Sequence, residues 1–241
     1  MNEQDHAEKA ATAAQASGPD KPGAGKAPAP GPSPLAPGLV VIDAGHGKID
    51  AGRYDPGAVR WSRDAQGRKQ VEATEADVAL QYAYCLDAVL RERGCRTQLT
   101  RADQSKPCSL LQRIRIARRA HADLLISLHL NADPDDDDPC DPEARGHEIL
   151  WRSKRSAPIA RAVSDALKPI IPPHGAGVIE RPRLAVLAYD PSILIELGFI
   201  DSSVDYPALI DVKIKLEICE AIAKSCQLSA ISYQPQPGGM A

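Results

Sequence analysis

The sequence is poor in aromatic residues and contains no long apolar run. Phe, Trp and Tyr make up 4% of the 241 residues, so the composition does not indicate an aromatic surface for stacking on sugars. Because no stretch of about 18 or more apolar residues occurs, we expect no membrane-spanning helix. The formal net charge of -3 argues against nucleic acid as a partner, since phosphate binding normally requires a basic surface.

The cysteines show no spacing typical of a metal cluster or a redox motif. No CxxC pair occurs among the six cysteines, which are Cys85, Cys95, Cys108, Cys140, Cys219 and Cys226. Cys219 and Cys226 lie seven positions apart on a predicted helix, about 10 Å along its axis, and cannot pair with each other. An even count permits disulfides in an oxidising compartment, but we interpret these residues as buried, reduced thiols.

Composition divides the chain into one domain and two tails. Residues 1–37 consist largely of Ala, Gly, Pro, Lys and Ser, which cannot bury enough apolar surface to offset the entropy of ordering, and are predicted to be a disordered tail. Residues 231–241 are similar and are predicted to be a flexible tail. Residues 38–230 are numerous enough for a single well-buried core.

Predicted strands and helices alternate through this domain. Apolar runs bounded by Gly or polar residues predict strands at 39–42, 96–100, 124–128, 146–151, 184–188 and 193–197. Thr74 and Ser109 are predicted N-caps and Gly94 a helix stop, for helices at 75–93 and 110–121; two more follow at 156–168 and about 207–228. The polar stretch 48–73 shows only turn signals. This alternation predicts an α/β fold, a single domain with a twisted, mostly parallel sheet and helices on both faces.

Polar side chains stand at or just beyond the ends of three predicted strands. His46 follows the first strand, His129 follows the strand at 124–128, and Glu196 lies in the last apolar run. In open α/β sheets the functional crevice lies at the carboxyl ends of the strands, and Glu75, in the first turn of a helix, could point into the same crevice. Two His and a carboxylate with an open fourth position are a ligand set for catalytic zinc, and a second carboxylate could transfer protons.

The order of short motifs resembles a known family. The strings VVIDAGHG, EADVAL, LTRADQS, DLLISLHLNAD, GHEIL and ILIELGFI are similar to the successive motifs of the zinc-dependent N-acetylmuramoyl-L-alanine amidases called amidase type 3. The resemblance implies that His46, Glu75 and His129 hold one zinc ion and that Glu196 is the catalytic base. It also implies hydrolysis of the amide between N-acetylmuramic acid and L-alanine in peptidoglycan.

The chain departs from this pattern in two places. Asp201-Ser202 follows ELGFI, where the family usually has Ser-Asn. The segment from His129 to Glu196 is too short for the self-blocking helix of some family members, so we expect no built-in inhibition, while a separate inhibitor or immunity protein remains an option. Action on the cell wall, in the periplasm or outside the cell, is implied. Since the N-terminus lacks the features of a signal peptide, phage lysis or a specialised secretion system could deliver the protein.

Two other functions remain open on the sequence alone. One is a zinc peptidase that cuts stem or crossbridge peptides, and the other is a non-catalytic wall-binding or regulatory protein. A non-catalytic member would typically lack one of the metal ligands or the catalytic base, and this sequence has all four of these residues.

Other polar residues have simpler interpretations. His147 is predicted to be structural, and His121 and His174 are predicted to lie on the surface. Arg101 and Arg113 are expected to form ion pairs that hold helices to the sheet. Two alternatives concern acidic residues: Glu72 lies close enough in sequence to compete with Glu75 as the ligand, and the aspartate run 135–138 is predicted to be a solvated loop rather than a calcium site.

Overall fold

The computed structural model describes residues 38–133 and 144–232, with side chains described as far as Cys226 in the last segment. The predicted tail 1–37, most of the predicted tail 231–241, the aspartate run 135–138 and Cys140 lie outside these residues. Among the residues described, no helix is both long enough and apolar enough to cross a membrane.

Strands and helices alternate as the sequence predicts. The strands are β1 (Leu39–Ala44), β2 (Gly47–Lys48), β3 (Tyr54–Asp55), β4 (Val59–Arg63), β5 (Lys69–Thr74), β6 (Arg96–Leu99), β7 (Leu124–Asn131), β8 (His147–Trp151), β9 (Pro173–Glu180) and β10 (Ser192–Phe199). The helices are α1 (Glu75–Glu92), α2 (Leu110–Arg119), α3 (Ser156–Leu167), α4 (Asp205–Ile210) and α5 (Val212–Ser232), with a 3₁₀ helix at Ala185–Ala188.

Six strands form one sheet in the order β6-β1-β7-β10-β8-β9. The first four run parallel to one another, whereas β8 runs antiparallel to β10 and β9 parallel to β8. The mostly parallel sheet is therefore confirmed. Because β1, β7 and β10 are adjacent and point the same way, the residues at their carboxyl ends meet at one edge of the sheet.

Both faces of the sheet are covered, as predicted. Val40 and Ile42 of β1 belong to a core that also contains buried residues of α1, α3 and α5. Val41, between them, belongs to a second core with Ala117 of α2 and Leu187 of the 3₁₀ helix. Successive side chains of a strand point to opposite faces, so this alternation shows one layer of helices on each side.

A buried ion pair fixes β1 against α2. Asp43 is 1% exposed and accepts from Arg113 Nη1 at 2.7 Å, from Thr100 Oγ1 at 2.5 Å and from Ser127 Oγ at 2.7 Å. Burial alone would raise the pKa of Asp43, but the charge of Arg113 and these hydrogen bonds hold it below its ordinary value. Arg113 thus forms the ion pair predicted for it, whereas Arg101 binds backbone carbonyl groups.

Replacing Arg113 should cost much more stability than replacing an exposed arginine. In Arg113→Ala the Asp43 carboxylate loses its buried counter-charge, and we expect the free energy of unfolding to fall by about 3 kcal/mol. Arg68→Ala is the control, because Arg68 pairs with Asp64 at the surface and an exposed ion pair contributes little to stability, so its removal should cost far less than that of Arg113. Urea unfolding followed by circular dichroism measures both, and equal losses would contradict the prediction.

The run at 184–188 is the one predicted strand that the structure contradicts. It forms the 3₁₀ helix Ala185–Ala188, in which Val186 and Leu187 are buried against the core on the α2 side of the sheet. A short apolar run fits either a buried strand or a buried helical turn, and the packing of these two side chains decides between them here.

Four further features differ from the sequence prediction. The polar stretch 48–73 contains the hairpins β2–β3 and β4–β5, and β9 was not predicted. The predicted C-terminal helix is divided into α4 and α5 at Asp211, whose Oδ1 accepts the N–H groups of Lys213 and Ile214. A side-chain acceptor in that position caps a new helix.

Candidate metal centre

The loop after β1 presents His46 in a strained backbone conformation. His46 has φ of 55° and Gly47 has φ of 95°, in the left-handed region that few residues other than glycine adopt. Two buried arginines hold this loop: Arg101 donates to the carbonyls of Ala44 and Gly45 at 2.9 and 2.8 Å, and Arg113 donates to that of His46. These hydrogen bonds fix the backbone of the loop and leave the His46 imidazole available for other contacts.

Glu75 begins α1 and is 3% exposed. Its Oε2 accepts the N–H of Ala58 at 2.8 Å, and its Oε1 accepts the N–H of Leu130 at 3.1 Å. A Cβ on Gly57, whose φ is 67°, would overlap both Glu75 Oε2 and the His46 ring. A glycine is therefore required at position 57 for the backbone to approach the carboxylate.

The structure brings His46, Glu75 and His129 together. His129 Nδ1 lies 2.8 Å from Glu75 Oε1, and His46 Nε2 lies 3.1 Å from the same oxygen. One potential ligand atom from each residue lies within 4.8 Å of the others. Among the residues described, this is the one cluster of His, Cys, Asp or Glu with the geometry to hold a metal ion.

Glu72, the competing residue, lies outside this cluster. Glu72 lies in β5, the strand that leads into α1, and its carboxylate pairs with Arg60 of β4 at 3.0 Å. Glu75 therefore contacts both histidines and Glu72 contacts an arginine instead.

Mutual contacts shift the pKa values of Glu75 and His46 in opposite directions. Burial alone would raise the pKa of Glu75, but hydrogen bonds with His129 and His46 lower it to about 2. Burial alone would lower the pKa of His46, but Glu75 and Asp55 raise it to about 9. The carboxylate is thus ionised throughout the neutral range and can act as an anionic ligand.

Asp55 is a functional candidate that sequence reasoning missed. Its Oδ2 lies 2.8 Å from His46 Nδ1, so the imidazole can donate a hydrogen from Nδ1 and present Nε2 to the cluster. A carboxylate behind a ligating histidine fixes the tautomer and the ring orientation. The sequence signal was weak, because Asp55 stands in a DPG turn, where aspartate is common for conformational reasons.

Glu196 lies beside the cluster on β10. In the register of the sheet it is paired with His129 on one side and with Glu148 on the other. Its Oε2 is buried and has no hydrogen-bond partner among the described residues. Burial raises the pKa of Glu196 to about 7, the charges of Glu75 and Glu148 add to this effect, and His129 opposes it.

Glu148 is a second neighbour of the candidate site, after Asp55, that the sequence analysis did not identify. It accepts from Asn131 Nδ2 at 2.8 Å, which ties β8 to the end of β7 next to Glu196. The GHEIL string contains it, and an acidic residue in an otherwise apolar strand was the available signal.

The raised pKa of Glu196 predicts a pH-dependent cost in stability. The unfolded chain loses this proton near pH 4.5 and the folded protein near pH 7, so ionisation destabilises the fold progressively between these values and fully above them. The prediction concerns chelator-treated protein. Between pH 4 and pH 8.5 the unfolding free energy of Glu196→Gln should rise by about 3 kcal/mol relative to that of wild type, because only the wild type has a carboxyl group to ionise at this position. Urea unfolding at both values measures this. A relative stability independent of pH would contradict it.

Outside the cluster, the histidines that the structure describes have the surroundings expected of them. His147 is fully buried and bonds Ile171 O at 2.8 Å and Ser164 Oγ at 2.9 Å. His121 is exposed, and His174 is partly exposed and bonds the carbonyl of Arg145.

Comparison with known proteins identifies the family. The family model for N-acetylmuramoyl-L-alanine amidase, amidase type 3, matches residues 40–227. The chain belongs to this amidase family. LytC, an N-acetylmuramoyl-L-alanine amidase of Bacillus subtilis (strain 168), is 26% identical over 192 residues, which are 79% of this chain and 35% of LytC. The chain therefore spans about a third of the length of that relative.

Solved amidase structures have the same fold. The N-acetylmuramoyl-L-alanine amidase AmiC2 of Nostoc punctiforme is 28% identical with a TM-score of 0.62, and the match covers 81% of this chain and 97% of that one. An N-acetylmuramoyl-L-alanine amidase from Clostridium difficile 630 is 26% identical with a TM-score of 0.64, and the match covers 83% and 100%. These matches agree with the α/β domain predicted from the sequence.

The departure from the amidase pattern after β10 has a local structural role. Ser202 Oγ accepts the N–H of Asp205 at 3.3 Å, where α4 begins, and Asp201 Oδ2 accepts the N–H of Asp133 at 2.8 Å. Arg60 donates to the carbonyls of both residues. Asp201 and Ser202 therefore join β7, β10 and the β4–β5 hairpin around the cluster.

Proposed function

We propose that this chain is a zinc-dependent N-acetylmuramoyl-L-alanine amidase. It would hydrolyse the amide between N-acetylmuramic acid and L-alanine in bacterial peptidoglycan and release stem peptides. The observation that carries the proposal is the convergence of His46, Glu75 and His129, with Glu196, whose Oε2 is buried, on the neighbouring strand. Membership of the amidase family supports the choice of substrate.

The three residues fit one zinc ion. Two imidazole nitrogens and a carboxylate oxygen, with a fourth position open, are a ligand set found at catalytic zinc sites. Donors bonded at about 2.0–2.2 Å in tetrahedral geometry stand roughly 3.3 Å from one another, and the two histidine nitrogens lie 3.1 and 2.8 Å from Glu75 Oε1. Asp55 supports the ligand His46 in the orientation that the ion requires,.

Zinc at this position would lower the pKa of water to about 7 and stabilise negative charge on a carbonyl oxygen. Glu196 would remove a proton from the attacking water and pass it to the departing nitrogen of L-alanine, so that the amide C–N bond breaks and a carboxylic acid and a free amine form. In the metal-free protein the pKa of Glu196 is already raised by burial, and a carboxylate whose pKa is raised toward the working pH returns a proton more readily than an ordinary one.

The proposed substrate places the action of the protein in the cell wall, in the periplasm or outside the cell. Partners other than peptidoglycan, including an inhibitor or immunity protein, stay predictions that purification from the native source would test.

Mass spectrometry of digested peptidoglycan tests the proposal. Purified sacculi are incubated with the wild-type protein, with Glu196→Ala and with chelator-treated wild type. We expect stem peptides with a free L-alanine amino terminus from the wild type alone, and their return when zinc is restored. Cleavage within the stem or crossbridge would favour the peptidase alternative, and intact peptidoglycan in every sample would favour a non-catalytic protein.

A further inference from the structure

Two cysteines meet where α1 packs against α5. Cys85 Sγ lies 4.0 Å from the carbonyl oxygen of Lys215, one turn before Cys219 on α5. Reciprocally, Cys219 Sγ lies 3.9 Å from the carbonyl oxygen of Tyr82, one turn before Cys85 on α1. Each thiol therefore points at the backbone that carries the other, so the two side chains lie side by side between the helices.

We propose that Cys85 and Cys219 are a site of oxidative crosslinking, at which a disulfide-containing oxidant joins α1 covalently to α5. Nothing in the proposed hydrolysis uses either thiol, so this proposal is independent of the amidase activity.

The two cysteines differ in the way that such a reaction requires. Cys85 is partly exposed, and its interaction with Cys219, together with the nearby charge of Lys215, lowers its pKa below the ordinary value of a thiol. A lowered pKa increases the fraction of thiolate, which is the reactive form. Cys219 is fully buried, and its pKa is raised by Cys85 and by burial. Cys85 is thus the attacking thiol and Cys219 the resolving thiol.

The reaction proceeds by two exchanges. The Cys85 thiolate attacks one sulfur of a small disulfide such as oxidised glutathione, forming a mixed disulfide and releasing one thiolate. Cys219 then loses its proton to water or buffer and attacks Cys85 Sγ, which releases the second thiolate. Two protein thiols are oxidised to one disulfide, and one disulfide of the oxidant is reduced to two thiols.

Two other cysteines that the structure describes, Cys108 and Cys226, lack this combination. Cys226, two turns beyond Cys219 on α5, is buried, and burial with a contribution from Cys95 raises its pKa to about 12. Cys108 is also buried, its pKa is raised by burial, and it donates to the carbonyl of Thr100. Neither is expected to attack an external disulfide in the folded protein.

The crosslink would join two elements that are distant in sequence. It closes a loop of roughly 130 residues, and closing a long loop restricts the unfolded chain strongly. The helix α1 carries Glu75 at its first residue, and α5 packs on both α1 and α3. We therefore expect the oxidised protein to melt about 5–15 °C higher than the reduced protein.

The test uses the folded full-length chain, first reduced and then treated with oxidised glutathione at pH 7.5. Remaining thiols are alkylated, and non-reducing peptide mapping locates every disulfide, while differential scanning calorimetry measures the melting temperature. We expect a Cys85–Cys219 crosslink and a raised melting temperature, both reversed by dithiothreitol. Cys219→Ser should stop at a glutathione adduct on Cys85, Cys85→Ser should give neither product, and Cys108→Ser should behave as wild type.

Three results would overturn the proposal. The first is the absence of any crosslink in the wild type, and the second is a Cys95–Cys226 crosslink formed in preference. The third is a Cys85–Cys219 crosslink that lowers the melting temperature, because such a crosslink would form only in partly unfolded molecules. The mapping of the wild type alone decides the first two, so the proposal stays testable if a serine variant does not fold.

Discussion

Glu196→Gln should reduce stem-peptide release by a factor of about 10³ or more while leaving zinc binding unchanged. Glutamine has the same shape as glutamate but cannot accept a proton from water, and general acid–base catalysis contributes typically 10²–10⁴-fold. The carboxylate lies next to His129 in the sheet register, and its Oε2 is buried without a hydrogen-bond partner among the described residues. A group that is costly to bury without partners is more readily explained by chemistry than by packing.

Chromatographic quantification of released peptides measures the rate, and a chromophoric chelator measures zinc affinity in the same preparations. Glu180→Gln is the matched control, because Glu180 is exposed at the end of β9 and its replacement should leave both quantities unchanged. Activity above a tenth of wild type in Glu196→Gln would remove Glu196 from the role of base. Loss of zinc together with activity would mean that Glu196 is a ligand instead.

The central strands could be predicted because their signal is local. Buried parallel strands are apolar on both faces, so β1, β7 and β10 appear as short runs of Val, Ile and Leu that end next to His46, His129 and Glu196. The 3₁₀ helix at Ala185–Ala188 shows the limit of that signal, because its run is equally apolar and only packing against α2 distinguishes it. The hairpin β4–β5 was hidden for the opposite reason, since its strands are largely exposed and polar.

The residues of the candidate site were predicted more completely than their supports. Glu75 begins α1, His46 follows β1, and His129 and Glu196 lie in the carboxyl-terminal halves of β7 and β10, next to apolar runs that a sequence pattern can locate. Their partners are set by contacts that no local pattern encodes, and these include Asp55 behind His46, Glu148 beside Glu196 and the close approach of Gly57 to Glu75. Arg101 illustrates the same limit, because an ion pair was expected and the structure has hydrogen bonds to backbone carbonyls.

The second large effect is expected at Glu75, where Glu75→Gln should weaken zinc binding by a factor on the order of 10³ or more. The carboxylate is held ionised, with its pKa lowered to about 2, and it is the only anion of the three proposed ligands. An amide in its place supplies a weaker oxygen donor and no charge. Removing an outer hydrogen-bond partner of a ligand costs 10–100-fold in affinity, so losing the ligand itself should cost more.

A graded series separates this effect from a general loss of structure. Asp55→Asn removes the carboxylate behind His46 and should lower zinc affinity by about 10–100-fold, whereas Asp50→Asn, in the exposed β2–β3 turn, should leave it unchanged. Chelator competition measures the three affinities, and circular dichroism verifies the fold of each variant. Equal affinity in Glu75→Gln and wild type would exclude Glu75 as a ligand. We expect the loss of zinc affinity to be largest in Glu75→Gln, smaller in Asp55→Asn and absent in Asp50→Asn. This ranking requires an ion bound between His46 Nε2, Glu75 and His129, because a purely structural cluster would show no such ranking in zinc affinity.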